Sequence, residues 1–224
     1  MLYNVIQDGE ELYYVPSTAG YILLAALFVA LLAAAAWFAA KKAGHGSLKL
    51  TTKQLTFCAI SITLGTVLSN VKLFSFPFGG SVTLLSMLFI CLPGYWFGSG
   101  AGLATGVAYG ILQLMIKPEI VHPAQLPIDY ILAFGALGLS GLFGSKKNAL
   151  LKGYALAVAG RWIFASISGW VFWGQFAWEG WHPIPYSFTY NGIYIFAEAA
   201  ITLVILAIPQ VKKAFEQVKK LALE

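Results

Sequence analysis

The stretch Arg161–Asn191, RWIFASISGWVFWGQFAWEGWHPIPYSFTYN, contains five of the seven tryptophans of the chain. Its first half has the apolar density of a membrane helix. Its second half, from Gly174, contains Pro183 and Pro185, which interrupt a helix. The stretch therefore predicts a membrane helix that ends in an aromatic loop. Aromatic rings of this kind attract cations and stack on planar molecules, and they are equally typical of the aromatic belt at a membrane surface.

The composition excludes a soluble domain. The chain is 59% hydrophobic and only 10% charged, and its mean hydropathy is +0.76, whereas a soluble domain has roughly a quarter of its residues charged. Cys58 and Cys91 both lie in apolar segments, so we interpret them as packing residues and not as a disulfide or metal pair. The sequence contains no P-loop, HExxH or CxxC motif.

The apolar segments predict an all-α, polytopic membrane helix bundle with seven spans. An acidic tail occupies residues 1–18, an additional membrane helix residues 19–42, a six-helix domain residues 50–210, and a basic tail residues 211–224. Each segment approaches the ~20 residues that cross a bilayer. The predicted spans are Gly20–Ala40, Gln54–Ser69, Ser81–Phe97, Ser99–Ile116, Leu126–Phe143, Leu150–Gly174 and Tyr190–Ile208.

The lysines predict the orientation of these spans. Eleven fall on one side of the membrane and only two, Lys72 and Lys117, on the other. Positive residues favour the cytoplasmic side, so we expect a multi-pass protein of the cell membrane with its N-terminus outside and its C-terminus in the cytoplasm. The eleven are Lys41, Lys42, Lys49, Lys53, Lys146, Lys147, Lys152, Lys212, Lys213, Lys219 and Lys220.

Small residues repeat on the fourth span. Gly98, Gly102, Gly106 and Gly110 are four residues apart and therefore share one stripe of a helix. Missing side chains along a stripe let a neighbouring helix approach closely, so we interpret these glycines as packing positions.

Three charged side chains lie inside predicted spans: Asp129, Arg161 and Glu198. Each costs roughly 2.5–3.5 kcal/mol near a bilayer centre and therefore requires a partner or a wet cavity. At 1.5 Å per residue, Arg161 lies deeper than Glu198 by a distance that its side chain can bridge. We therefore expect a structural ion pair between Arg161 and Glu198.

Asp129 has two open interpretations, a cap on its own helix and a carboxylate that binds a ligand. Polar and aromatic side chains at the same predicted membrane face favour the ligand. A carboxylate, amides and rings together suit a cationic heterocycle, and they do not suit a nucleophilic enzyme site. We expect no catalytic residue and no metal at His122 or His182. The candidate binding residues are Asp129, Tyr130, Gln125, Trp173, Trp178, Tyr186, Tyr190 and Asn191.

Four motifs together resemble one family of membrane proteins. They are GGSVTLLSML (79–88), HPAQLPIDYILAFGALGLSGLF (122–143), SGWVFWGQFAWEGW (168–181) and YSFTYNG (186–192). In this order, over about residues 50–210, they are similar to the thiamine-specific substrate-binding (S) component of energy-coupling factor (ECF) transporters. The resemblance implies a six-helix vitamin B1 receptor whose partner is a module of one transmembrane coupling subunit and two ATPases. The chain itself would need no cofactor, ATP being used by the partners, and would contact the lipid bilayer and no nucleic acid.

The resemblance also implies roles for individual residues. Asp129 falls on the family's acidic position before Tyr130 and would accept hydrogen bonds from the aminopyrimidine. Trp173 and Tyr186 would pack on the rings of the vitamin, and Asn191 would help to fix the thiazolium end.

The sequence departs from the family pattern in four places. Asp129 stands where Glu is common, and Ala165 where a ligand-contacting histidine is common. Thr56, Ala59 and Thr63 replace the small-residue face for the coupling subunit, and the Gly20–Ala40 helix is additional. A proton-coupled secondary carrier for thiamine or its pyrimidine and thiazole precursors, with Asp129 or Glu198 as the proton site, stays open as an alternative. So do altered ligand specificity and, least favoured, an intramembrane enzyme that uses His122 and Asp129.

Overall fold

The computed structural model describes residues 3–8, 11–20, 22, 23, 26, 50–123, 125–144 and 146–224. Most of these residues are helical, which confirms the predicted all-α bundle, and two small antiparallel hairpins accompany the helices. The helices are α1 (Thr52–Ser69), α2 (Ser86–Phe97), α3 (Ser99–Ile116), α4 (Pro127–Phe143), α5 (Ala149–Phe172), α6 (Pro183–Ala207) and α7 (Pro209–Leu223), and the strands are β1 (Tyr3–Asp8), β2 (Glu11–Pro16), β3 (Lys72–Ser75) and β4 (Ser81–Thr83).

Three of the described helices, α3, α5 and α6, are long and apolar enough to cross a membrane, and α2 and α4 are shorter apolar helices. The predicted helix at Gly20–Ala40 lies largely outside the described residues, as do Lys41, Lys42 and Lys49. The count of seven spans and the orientation therefore stay predictions. Within the predicted tail, strand β1 pairs with β2 so that Asp8 lies opposite Glu11.

The third predicted span, Ser81–Phe97, is wrong in its first third. Ser81–Thr83 forms β4, which pairs with β3, and α2 begins only at Ser86. Leu85 adopts a left-handed conformation (φ 60°) between the two elements. The Glu198 carboxylate accepts hydrogen bonds from the backbone N–H groups of Thr83 and Met87, and this long-range contact replaces the helical bonds that the apolar pattern suggested.

Caps fix the beginnings of two other helices. The Thr51 hydroxyl accepts from Gln54 N (3.2 Å) and the Gln54 side chain accepts from Thr51 N (3.0 Å), a capping box that starts α1. Helix α6 was predicted to begin at about Tyr190. It begins about two turns earlier, at Pro183, with His182 as its N-cap. A proline at the first helical position loses no hydrogen bond, so the prolines start this helix and do not interrupt it.

Helices α3 and α4 approach each other closely, as the glycine stripe predicts. A β-carbon on Gly106 would lie 2.4 Å from the Phe134 carbonyl oxygen, and one on Gly102 would lie 2.9 Å from the α-carbon of Gly138. The first part of α4 is a π-helix over Pro127–Leu132, and its last part is a 3-10 helix over Ala136–Phe143. This packing holds the π-helical segment, and with it Asp129 and Tyr130, against the end of α3.

The core is centred on α2. Met87, Leu88 and Ile90 are at most 1% exposed and pack with Leu137 of α4 and Ile195 of α6. Fully buried side chains of this size each contribute about 1.5–3 kcal/mol. The contacts bring the ends of five helices together beside the β3–β4 hairpin.

The predicted basic tail, residues 211–224, is helical over most of its length, as part of α7. Its apolar face, Val211, Phe215 and Val218, packs against the core, and the Lys219 ammonium lies 3.9 Å from the centre of the Tyr95 ring. Burial lowers the pKa of Lys219. The lysines of this segment therefore lie on a packed helix.

Candidate functional site

A cavity of about 200 Å³ opens where α1, α3 and α5 end and where α4 and α6 begin. The β3–β4 hairpin contributes part of its wall. Seven of the eight candidate binding residues line this cavity, although they come from segments far apart in the sequence. They are Gln125, Asp129, Tyr130, Trp173, Tyr186, Tyr190 and Asn191.

Gln125 positions the carboxylate of Asp129. The Gln125 Nε2 donates to Asp129 Oδ2 (2.8 Å) and to the Glu119 carbonyl (3.1 Å), and its Oε1 accepts from Val121 N (3.1 Å). Gln125 is only 1% exposed. The two residues are four apart, so Gln125, just before α4, lies on the same side of the chain as Asp129 in the first turn of the helix. The amide thus ties the carboxylate to the loop before the helix.

Tyr130 is a scaffold residue, although it lines the cavity. Its hydroxyl accepts a hydrogen bond from Glu119 N (2.8 Å), and its side chain is 7% exposed. Tyr130 therefore fixes the loop between α3 and α4, the same loop that Gln125 holds from the other side.

Aromatic rings form the wall opposite α4. Tyr186 and Tyr190 of α6 lie with their ring centres 5.7 Å apart at 34°, and Trp173 follows the last turn of α5. The Asn191 Nδ2 donates to the Ser187 carbonyl (2.9 Å), and its Oδ1 accepts from the Tyr194 hydroxyl (2.7 Å). A β-carbon on Gly169 would lie 2.9 Å from Asn191 Nδ2, so the absence of a side chain there lets α5 approach this amide.

A flap that the sequence analysis missed lies over the aromatic wall. The flap is the β3–β4 connection, residues 76–80, whose Phe78 has a left-handed backbone (φ 60°) and stacks on Phe176 at 4.5 Å. The Tyr190 hydroxyl donates to the Pro77 carbonyl and accepts from Gly80 N (3.3 Å). The sequence signal for it is the turn-forming run PFGG between two β-prone segments.

The expected ion pair between Arg161 and Glu198 is not formed: the ion pair among the described residues joins Lys117 and Glu119. Both side chains line the cavity, but the Glu198 carboxylate accepts from Thr83 Oγ1 (2.6 Å), Ser86 Oγ (3.0 Å) and two backbone N–H groups. The Arg161 guanidinium lies 4.5 Å from the centre of the Phe134 ring, a cation–π contact. Glu198 is bound by the strand-to-helix junction before α2, which the sequence placed inside a continuous helix.

Trp178, the eighth candidate residue, does not line the cavity. It lies outside, 42% exposed, with its ring perpendicular to that of Tyr186 at 5.2 Å. Its contact with the site is therefore through Tyr186.

The rim on the α3 side carries charge. Lys117 Nζ lies 2.5 Å from Glu119 Oε1, and Lys72 is close to Lys117. The neighbouring Lys117, together with burial, lowers the pKa of Lys72. Burial alone would lower the pKa of Lys117, but the Glu119 carboxylate outweighs it and the net pKa is raised. No three His, Cys, Asp or Glu side chains converge as a metal site among the residues described; the His122 ring stacks on Phe172 at 5.6 Å.

Comparison with known proteins identifies the family of the chain. Residues 55–217 match the family model described as thiamine transporter protein. The chain is 36% identical over 148 residues to the thiamine transporter ThiT of Bacillus subtilis (strain 168), covering 60% of this chain and 77% of that protein. It is 27% identical over 144 residues to ThiT of Lacticaseibacillus paracasei, covering 57% and 68%.

A solved structure, ThiT from Listeria monocytogenes, superposes with a TM-score of 0.59 at 25% identity and covers 70% of this chain and 96% of that one. The family match extends from α1 into α7 and includes every cavity-lining helix. The chain therefore belongs to the thiamine transporter protein family.

Proposed function

We propose that this chain binds thiamine in the cavity between α4, α5 and α6 and delivers it for uptake across the membrane. The observation that carries the proposal is that Asp129 shares one cavity with Trp173, Tyr186 and Tyr190. Thiamine joins a flat thiazolium cation to an aminopyrimidine ring whose amino group donates hydrogen bonds. A carboxylate and aromatic faces are the groups that recognise both features.

Asp129 would bind the aminopyrimidine. Its oxygen Oδ2 accepts from Gln125, and the carboxylate lines the cavity in which it would meet the amino group of the ligand. A hydrogen bond to a charged group contributes about 1.5–3 kcal/mol. The amide of Gln125 holds the carboxylate in place before the ligand arrives, which reduces the ordering cost of binding.

The aromatic wall would hold the rings. Trp173 and Tyr186 are the stacking residues in this proposal, and each desolvated ring beside a cation contributes up to about 2 kcal/mol. Asn191, whose amide is fixed by Ser187 and Tyr194, would orient the thiazolium end. Tyr190 would have two roles, because it lines the cavity and its hydroxyl also binds the flap.

Position 165 bears on which thiamine relative the cavity accepts, because alanine stands there where histidine is common in the family. Ala165 lines the cavity and is 6% exposed. Its small side chain leaves room for a water or for a modified ring, so thiamine relatives belong in the same binding assay.

The relatives are named as transporters, and we assign this chain no catalytic step. We further propose that an ECF module, with one coupling subunit and two ATPases, drives release into the cell. The face of α1 that carries Thr56, Ala59 and Thr63 supports a docking role, since all three are exposed. The sequence contains no P-loop motif. In this proposal the partner subunits use the ATP.

Two measurements test the proposal. Isothermal titration of the purified chain with thiamine should give saturable binding at one site, and absence of binding at micromolar thiamine would refute it. Uptake into proteoliposomes should require the ECF module and ATP. Uptake by the chain alone in a pH gradient would favour a proton-coupled secondary carrier instead.

A further inference from the structure

The loop between α5 and α6 contains a tight turn that displays two tryptophans. Trp181 N donates to the Trp178 carbonyl (2.8 Å), and Gly180 has φ +77°, a left-handed value that suits glycine at the third position of a turn. The turn brings the two indole rings to 5.0 Å at 81°. Glu179, also exposed, is at the second position. The sequence WEGW thus builds a surface pair of rings beside a carboxylate.

This pair is joined to the cavity by a continuous series of rings. Trp178 contacts Tyr186 at 5.2 Å, Tyr186 contacts Tyr190 at 5.7 Å, and Tyr190 contacts Tyr194 at 6.0 Å. The exposed fraction falls from 45% at Trp181 and 42% at Trp178 to 3% at Tyr186. The three tyrosines line the cavity. The ring contacts therefore connect the exposed turn to the wall of the cavity.

The rim of the cavity beside α3 and the Trp178–Trp181 turn differ in charge. Lys72 and Lys117 line the cavity on the α3 side, and Glu119 neutralises only one of them. The Trp178–Trp181 turn carries Glu179 and no lysine or arginine. A cation that approaches the cavity is therefore repelled by Lys72 and Lys117 and attracted by the turn that carries Glu179.

We propose that the Trp178–Trp181 turn is a second, weak site for a cationic heterocycle, which the ligand occupies before it enters the cavity. The perpendicular arrangement of the two rings leaves indole face open to a flat cation. Each exposed ring contributes about 0.5–1 kcal/mol to such a contact. The proposal rests on the proposed function, because it assigns to thiamine the route of entry into its cavity.

The first test measures rates with radiolabelled thiamine, since the variants change the protein fluorescence. The double variant Trp178→Leu/Trp181→Leu retains apolar area and loses the ring faces. We expect its association and dissociation rate constants both to fall at least about threefold, while the Kd for thiamine and the number of sites stay unchanged, because the ligand no longer contacts the turn once it lies in the cavity. Trp170→Leu is the matched control: Trp170 is 44% exposed on α5 and lies outside the ring series. An unchanged association rate constant, or an equal fall in the control, would overturn the proposal and leave the tryptophans as a membrane-interface belt.

A second variant guards against a folding defect in the double variant. Glu179→Gln should reduce the association rate constant at low salt and make it less dependent on ionic strength. A salt dependence equal to that of the wild type would count against steering by this turn.

A third readout does not depend on the cavity. In Asp129→Asn, millimolar trimethylthiazolium should still quench tryptophan fluorescence more than the uncharged thiazole does, and adding Trp178→Leu/Trp181→Leu should remove that difference. If the wild type fails to bind micromolar thiamine, the proposed function fails, and this quenching still decides for or against the turn. Equal quenching by the two compounds would refute the weak site.

Discussion

Two carboxylates line the same cavity and differ in how many hydrogen bonds they receive. Glu198, on α6, accepts four from Thr83, Ser86 and Met87 and is 4% exposed. The carboxylate of Asp129, on α4, accepts a hydrogen bond from the Gln125 side chain at 2.8 Å. Burying a charge is costly unless hydrogen bonds compensate it. Glu198 is compensated by the protein itself, whereas Asp129 retains capacity for a ligand.

This difference separates a structural role from a binding role. The four donors to Glu198 come from the junction between β4 and α2, so its carboxylate joins α6 to the base of the flap. Asp129 is oriented by a side chain four residues before it and lines the same cavity as the aromatic wall. The comparison predicts that neutralising the two groups will have opposite consequences for stability and for affinity.

The largest expected effect on affinity follows from Asp129→Asn. The change keeps the size of the side chain and removes the charge that would accept from the aminopyrimidine. We expect the Kd for thiamine to rise at least about tenfold, because a charged hydrogen bond contributes about 1.5–3 kcal/mol. Isothermal titration measures it. Glu119→Gln is the control, since Glu119 also lines the cavity but pairs with Lys117; equal losses in both variants would contradict the assignment to Asp129.

Glu198→Gln tests the other carboxylate. The amide retains one oxygen and turns an NH₂ group towards donors, so at least one of the four bonds is lost. We expect unfolding free energy to fall by about 2 kcal/mol, seen as a Tm lower by roughly 4 °C or more in the unliganded protein, with a Kd for thiamine within about threefold of the wild type. A normal Tm with a selective loss of affinity would reverse the comparison and make Glu198 the ligand carboxylate.

A smaller effect is expected from Gln125→Leu, which removes the group that orients Asp129. Its amide also serves the Glu119 carbonyl and Val121 N. We expect the Kd to rise about fivefold, equivalent to about 1 kcal/mol. The matched control is Gln113→Leu, because Gln113 lines the same cavity and donates to Ser69 Oγ (3.3 Å). If Gln113→Leu weakens binding as much, the loss reflects cavity polarity and not the position of Asp129.

The sequence predicted those features that depend on local pattern. The bounds of α3 and the glycine contacts with α4 follow from apolar length and from a four-residue spacing, so both are confirmed. Gln125 and Asp129 were expected at one site, and their spacing of one helical turn brings them within 2.8 Å.

The features that the sequence missed depend on contacts between distant segments. The Ser81–Thr83 strand pairs with Lys72–Ser75, and Glu198, more than a hundred residues later, binds the backbone at its end. The expected Arg161–Glu198 ion pair failed for the same reason. The depth of each residue in its helix placed the two side chains near each other, but it gave no information on the Thr83, Ser86 and Met87 donors that bind the Glu198 carboxylate. The flap residue Phe78 reaches Phe176 and Trp173 only in the folded protein.

The smallest expected effect comes from Ala165→His, which should change the affinity for thiamine, as Asp129→Asn does, and leave the stability almost unchanged. Ala165 is buried and lines the cavity one turn before Gly169. An imidazole there adds a ring face and a hydrogen-bonding group, so we expect the Kd for thiamine to fall about threefold while the Tm of the unliganded protein changes little. Ala165→Leu fills similar space without a polar group and should not tighten binding. If histidine instead weakens binding, the ligand itself occupies the space at position 165, and the binding assay should then rank thiamine relatives with a larger ring above thiamine.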